Sequence, residues 1–139
     1  MLFTPGETAA GRYGAYLTNV TISGKYAQEI KGAVLMVEHR YYGDSSPYPV
    51  LDAETMQLLT LHQSILDFVN IAKTIKLPFD PTGSSNAGVA PWVFTGGSYS
   101  GALAAWIYSL AKGTFWAYHA SSAPVEAIED YVSPLLFAP

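Results

Sequence analysis

Apolar residues along this chain fall into short unbroken runs and longer periodic stretches, and the two patterns predict different elements. Leu2 to Thr4 is an apolar stub that ends in Pro5-Gly6-Glu7, which reads as the tail of a strand entering a turn. Ala33-Val34-Leu35-Met36-Val37 is apolar without alternation, which predicts a strand buried on both faces and hence a parallel sheet covered by helices. Trp92 to Thr95 and Phe115 to Ala120 read as further strands of the same kind.

Between these runs the period changes to that of a helix. Lys25 to Lys31 predicts a helix with Tyr26, Ala27 and Ile30 on one face and Gly32 as its stop. Asp52 to Lys76 reads as helical: Asp52 to Leu59 as a separate short helix, then Thr60 and Gln63 as a capping box ahead of Ile65, Leu66, Val69, Ala72 and Ile75. Leu77 to Pro91, rich in proline, glycine and serine, predicts a long surface connection. Gly96 to Gly101 predicts a glycine-rich turn, and Ala102 to Lys112 a helix. Pro124 to Pro139 is weakly helical around Glu126 to Tyr131, and its apolar, uncapped end suggests a cut chain. Strands alternating with helices make the fold class α/β.

Composition narrows the function. Of 139 residues, 50% are hydrophobic and 13% charged, the reverse of a disordered segment. A net charge of −4 without a Lys/Arg cluster argues against electrostatic nucleic-acid binding, and the apolar runs are far too short to span a membrane. The absence of cysteine removes thiol catalysis, disulfides and thiolate metal sites, and no cofactor or metal is expected. Asn19-Val20-Thr21 is a glycan acceptor only in a chain that enters a secretory pathway. Met1 to Gly6 has no basic start, long apolar core or cleavage site, so no signal peptide is expected here. The protein is then either intracellular or lacks its true beginning.

The chemically informative stretch is Val93-Phe94-Thr95-Gly96-Gly97-Ser98-Tyr99-Ser100-Gly101-Ala102. It has the features of a nucleophile elbow, in which a serine sits on a sharp strand-to-helix turn and the residues two positions either side must be small. Gly96 and Ser100 meet that steric need around Ser98, although serine at the second position departs from the strict Gly-x-Ser-x-Gly pattern. Such a turn lifts the Ser98 hydroxyl clear of the sheet and aims the Tyr99 amide where an oxyanion forms. A phosphate loop is the weaker reading, because no Lys-Ser/Thr follows the glycines. Ser100 is a sterically allowed alternative nucleophile. The amide of Gly6 or Glu7 is the candidate second oxyanion donor, with a plain turn as the other reading.

Three blocks together, Glu38-His39-Arg40-Tyr41-Tyr42-Gly43-Asp44-Ser45-Ser46-Pro47, Gly96 to Leu103 and Ala120-Ser121-Ser122-Ala123-Pro124-Val125, resemble the serine carboxypeptidase family of lysosomal Pro-Xaa carboxypeptidase and dipeptidyl peptidase II. The likeness is strongest to its fungal secreted members. It implies a partial α/β-hydrolase core over residues 1–123 and the start of a capping insertion over 124–139. It further implies a serine peptidase acting on peptide substrates at the carboxyl side of proline, and a secreted or vacuolar/lysosomal full-length protein. By position, Ser98 matches the family nucleophile and Tyr99 the oxyanion residue. Tyr41, Tyr42, Tyr99 and Trp106 are available as aromatic walls for a proline ring, although aromatics in such a chain are more often core.

In that fold the acid and histidine of the triad follow the serine. After Ser98 the sole histidine is His119, expected to be buried and hydrogen-bonded in its strand rather than catalytic, with Asp130 its only proposed partner. His39 is expected at the site's mouth supporting Arg40, and His62 in the first turn of a helix. Without a base the serine hydroxyl stays protonated, so the chain alone is expected to be nearly inert. It would supply four middle strands of a larger sheet and leave both outer edges open. An esterase or lipase of the same fold, and a noncatalytic remnant of a peptidase gene, are the alternative readings.

Overall fold

The computed structural model describes residues 1–128. Four parallel strands form one sheet: β1 (Leu2–Phe3), β2 (Leu35–Met36), β3 (Val93–Gly97) and β4 (Ala117–Ser121), in spatial order β2-β1-β3-β4. The chain steps from β1 outward to β2, then returns past β1 to build β3 and β4 on the other side. Loops leaving β1 and β3 therefore diverge, and the crevice at such a reversal is where open parallel sheets bind ligands. Among the described residues no helix is long and apolar enough to cross a membrane.

Helix α2 (Leu61–Thr74) connects β2 to β3, and α3 (Tyr99–Leu110) connects β3 to β4. Strand alternation puts Leu2 and Phe94, which are register partners, into one apolar cluster with Ile65, Phe68, Leu103 and Ile107 from these two helices. Phe68, fully buried, meets Phe94 edge-on at 5.4 Å, and Phe94 meets Phe115 at 5.3 Å. Burying one such ring contributes roughly 1.5–3 kcal/mol. Phe3, Thr95 and His119 are likewise in register and face the opposite way, where Phe3 stacks on Tyr16 of a 3-10 helix (Ala10–Leu17) at 4.5 Å.

Several elements differ from the sequence expectation. Helix α1 spans Ile22–Glu29, and of its expected face only Ala27 is buried; Tyr26 and Ile30 are exposed. It packs instead through the small residues Ser23, Gly24 and Ala27, and a Cβ on Gly24 would collide with the Thr18 carbonyl. Close approach of backbones selects size there, which an apolar count does not detect. Lys31, at φ 54°, takes the left-handed stop position, and Gly32 donates its amide to the Ala27 carbonyl at 2.7 Å.

Strand β2 is two residues long and half-buried rather than buried on both faces, because it is an outer strand of the described sheet. In α2, Thr60 caps the Gln63 amide as expected, but Leu66 is exposed and Phe68 takes the core position. The stretch before it forms a 3-10 turn at Thr55–Leu58. The elbow strand reaches Gly97 and α3 begins at Tyr99, earlier than the apolar pattern suggests. Glu126 to Ile128 are irregular, and the rest of the expected Glu126 to Tyr131 helix, with Asp130, lies outside the described residues.

Candidate active site

Ser98 sits between β3 and α3 with φ 56° and ψ −128°, a region that residues other than glycine rarely enter. Such strain persists only where the surroundings fix it. The Ser98 amide donates to the Ser121 carbonyl at 3.0 Å, and its carbonyl accepts the first helical bond, from Ala102, at 3.0 Å. Gly96 must lack a side chain, since a Cβ would fall 2.6 Å from the Ser100 Cβ and closer still to its backbone. The Ser98 side chain is exposed, and among the described residues it makes no hydrogen bond.

Ser100, the alternative nucleophile, is buried. Its Oγ lies 2.6 Å from where a Gly6 Cβ would stand, wedged between the elbow and the β1 turn and out of reach of a substrate. That contact explains a glycine at position 6, which also adopts φ 75°. The Gly6 amide donates to Thr4 Oγ1 at 3.3 Å, whereas the Glu7 amide has no acceptor among the described residues. The Tyr99 amide, first of its helix, is equally unengaged among them. Two free N–H groups thus belong to the two turns that meet at the strand-order reversal.

A cavity of about 460 Å³ opens beside Ser98, lined among others by Phe3, Tyr16, Thr95, His119 and Ser122. His119 is exposed rather than buried, because β4 is the outer strand, though its Nδ1 is hydrogen-bonded to Thr95 Oγ1 at 3.0 Å. It makes no hydrogen bond to Ser98, and His62 is exposed in the first turn of α2. Tyr41 lies elsewhere: buried, at φ 69°, it donates its hydroxyl to the Thr55 carbonyl. Tyr42 packs edge-on against His39 at 5.6 Å, and neither tyrosine lines the Ser98 cavity. Asn19 is exposed, its amide on Gln28 Oε1 at 3.3 Å.

His39 is fully buried behind the elbow. Its Nδ1 faces the Arg40 carbonyl at 2.8 Å and its Nε2 faces the Tyr99 hydroxyl at 3.1 Å. A carbonyl only accepts, so Nδ1 carries the proton and Nε2 accepts from Tyr99. Burial lowers the His39 pKa and keeps the ring neutral, while burial and the nearby Glu7 carboxylate raise that of Tyr99. Arg40 forks onto Asp67 of α2, Nε to Oδ2 at 2.6 Å and Nη2 to Oδ1 at 2.9 Å, which raises the pKa of the guanidinium.

Two supports escape sequence reading. Asp67 carries no local signal beyond the polar side of its helix. Glu38 accepts the Ala10 amide at 2.7 Å and the Ser45 amide at 2.9 Å, tying together loops that lie far apart in the chain.

Comparison with known proteins agrees with the resemblance. The family model described as serine carboxypeptidase S28 matches residues 1–135. A serine protease of Bipolaris victoriae, vicPa, is 47% identical over 131 residues, covering 94% of this chain and 24% of that protein. A probable extracellular serine carboxypeptidase of Arthroderma benhamiae is 33% identical, with 79% of this chain and 15% of that protein covered. The human lysosomal Pro-X carboxypeptidase is 32% identical, with 84% and 23% covered. The chain spans about a quarter or less of the length of these relatives. With the family match running through nearly every residue, the chain belongs to the serine carboxypeptidase S28 family of serine peptidases.

Proposed function

We propose that the chain is the nucleophile-bearing part of an α/β-hydrolase-type serine peptidase that cleaves peptide bonds on the carboxyl side of proline, in a secreted or vacuolar/lysosomal protein with Asn19 as a glycan acceptor. The observation that carries this reading is the strained, exposed Ser98 beside the free amide of Tyr99. The Ser98 hydroxyl adds to the scissile carbonyl, its proton passes to a base, and the oxyanion accepts from the Tyr99 amide and a second donor at the Gly6-Glu7 turn. Glu7 is favoured over Gly6 as that donor because the Gly6 amide is held by Thr4. Base and acid are assigned to the portion of such a protein that this chain does not span, since no described histidine bonds Ser98. Proline selectivity rests on the family and on the name of the human relative, not on the described cavity, and peptide substrates follow from the same source.

The test has two arms. A fluorophosphonate should label the folded chain slowly and label a graft of residues 1–135 into the Bipolaris victoriae relative quickly, and Ser98→Ala should abolish both. Absence of Ser98-dependent label in the graft, shown to be folded, overturns the reading. Hydrolysis of a simple acyl ester but not of a proline-containing peptide by the graft would move the assignment to an esterase.

A further inference from the structure

We propose that His39 is a positioning residue for the oxyanion donor, acting through the hydroxyl of Tyr99. This rests on the reading of Ser98 as nucleophile and of the Tyr99 amide as the group that receives the oxyanion.

Ser98 is held at φ 56° and ψ −128°, and a residue so placed returns to an ordinary conformation unless its neighbours are fixed on both sides. On the strand side the ladder bond to Ser121 does this. On the helix side the Ser98 carbonyl accepts from the Ala102 amide at 3.0 Å, but the first amides of the helix, that of Tyr99 among them, have no partner within it. Tyr99 is the first residue of α3, and its side chain is the long lever available there. Its ring packs edge-on against His39 at 5.5 Å and against Trp106 at 6.2 Å, and its hydroxyl ends on His39 Nε2.

His39 can hold that lever because it is itself held. Its Nδ1 proton is committed to the Arg40 carbonyl, which leaves Nε2 only as an acceptor and aims it at Tyr99. Arg40 is fastened to α2 by two bonds to Asp67 and a third to the Leu58 carbonyl at 2.5 Å. The β2 loop is thereby joined to α2, and the imidazole joins both to the elbow. An amide that must point at a developing charge gains from this only in the transition state, so the effect belongs in the rate of bond formation rather than in binding.

Tyr99→Phe removes the hydroxyl and keeps the ring. In the full chain, nitrogen NMR of the imidazoles should show His39 protonated at Nδ1, with its Nε2 resonance shifted by Tyr99→Phe and its Nδ1 proton retained. The Ala102 amide, which donates to the Ser98 carbonyl at 3.0 Å, should exchange with solvent several-fold faster in that variant. Ser98 labelling by a fluorophosphonate should slow about tenfold in both Tyr99→Phe and His39→Ala, with part of the rate restored in His39→Gln, whose amide both donates and accepts. Should His39→Ala fail to fold, Tyr99→Phe carries the test alone. An imidazole spectrum and an Ala102 exchange rate unchanged by Tyr99→Phe overturn the proposal, as does wild-type labelling in a folded Tyr99→Phe chain. Lack of Ser98 label in the graft with wild-type residues 1–135 would instead count against Ser98 as nucleophile, and the NMR arm would still decide the role of His39.

Discussion

The amide of Ser98 donates to the carbonyl of Ser121 at 3.0 Å, so the residue at the tip of the elbow is held by the neighbouring strand. The bond continues the β3–β4 ladder, which pairs Gly97 with Ser121, one residue past the end of β3. It explains why the Ser121-Ser122-Ala123 block belongs with the elbow block although it lies more than a helix away in sequence. The end of one strand sets where the turn after another can stand.

Gly101→Ala tests that arrangement. A Cβ at position 101 would lie 2.7 Å from the Ser121 carbonyl oxygen and 3.2 Å from Ala123 Cβ, so the end of β4 must shift to admit it. Overpacking against backbone costs about 1–3 kcal/mol. Urea unfolding should show a loss of that size at unchanged slope, together with slower labelling of Ser98. A variant as stable as wild type would mean that the strand end yields freely.

Strain at position 98 makes a second, opposite prediction. Glycine accepts the observed angles and alanine does not, so Ser98→Gly relieves about 1–3 kcal/mol that Ser98→Ala keeps. Greater freedom of glycine in the unfolded chain takes back about 0.4–1 kcal/mol. Ser98→Gly should therefore melt above Ser98→Ala by a net of about 1 kcal/mol, and the reverse order would mean the elbow is unstrained.

How much of this was legible in the sequence depends on the distance over which each feature is set. The elbow was legible because its constraint is local: strand, small residue, serine, small residue, helix, all within ten positions. Thr60 as a cap was legible for the same reason. Burial was not, since Leu66 and Phe68 are both apolar and only the packing of α2 on Phe94 decides which turns inward. His119 was expected inside its strand, but exposure there depends on whether a further strand covers β4. His39 bonds the Arg40 carbonyl but lies buried behind the elbow rather than at the mouth of the site, and its second partner, Tyr99, stands sixty residues on and leaves no trace in spacing.

Arg40 and Asp67 offer a third test, of geometry against charge. Lysine keeps the charge of Arg40 but cannot make the paired bonds to both carboxylate oxygens or the third to Leu58. Asp67 is 40% exposed, so solvent screens the pair and the loss should stay near 1 kcal/mol. Arg40→Lys and Asp67→Asn should each cost about that much by denaturant unfolding, and the double variant should cost little more than either. Additive losses would show that the two side chains are not coupled.

Acid sensitivity supplies the last prediction, and its sign follows from which state holds the proton more tightly. The Glu38 carboxylate is held below the usual glutamate range by the amide of Ala10 first and by Ser45 after it. The unfolded chain then binds the proton more readily than the folded one. The contribution of Glu38 to stability is full above its unfolded pKa and is lost as pH falls through the folded value. The His39 pKa is lowered as well, chiefly by burial; the Arg40 carbonyl favours the charged ring, the Arg40 guanidinium disfavours it, and Asp67 and Glu7 favour it. Its loss therefore begins earlier, as pH drops below the ordinary 6.5 of histidine, and levels off once the folded ring also titrates. Thermal midpoints measured from pH 8 downward should fall in two limbs, the upper flattened by His39→Gln and the lower by Glu38→Gln. A single limb untouched by either substitution would place the acid sensitivity of the fold elsewhere.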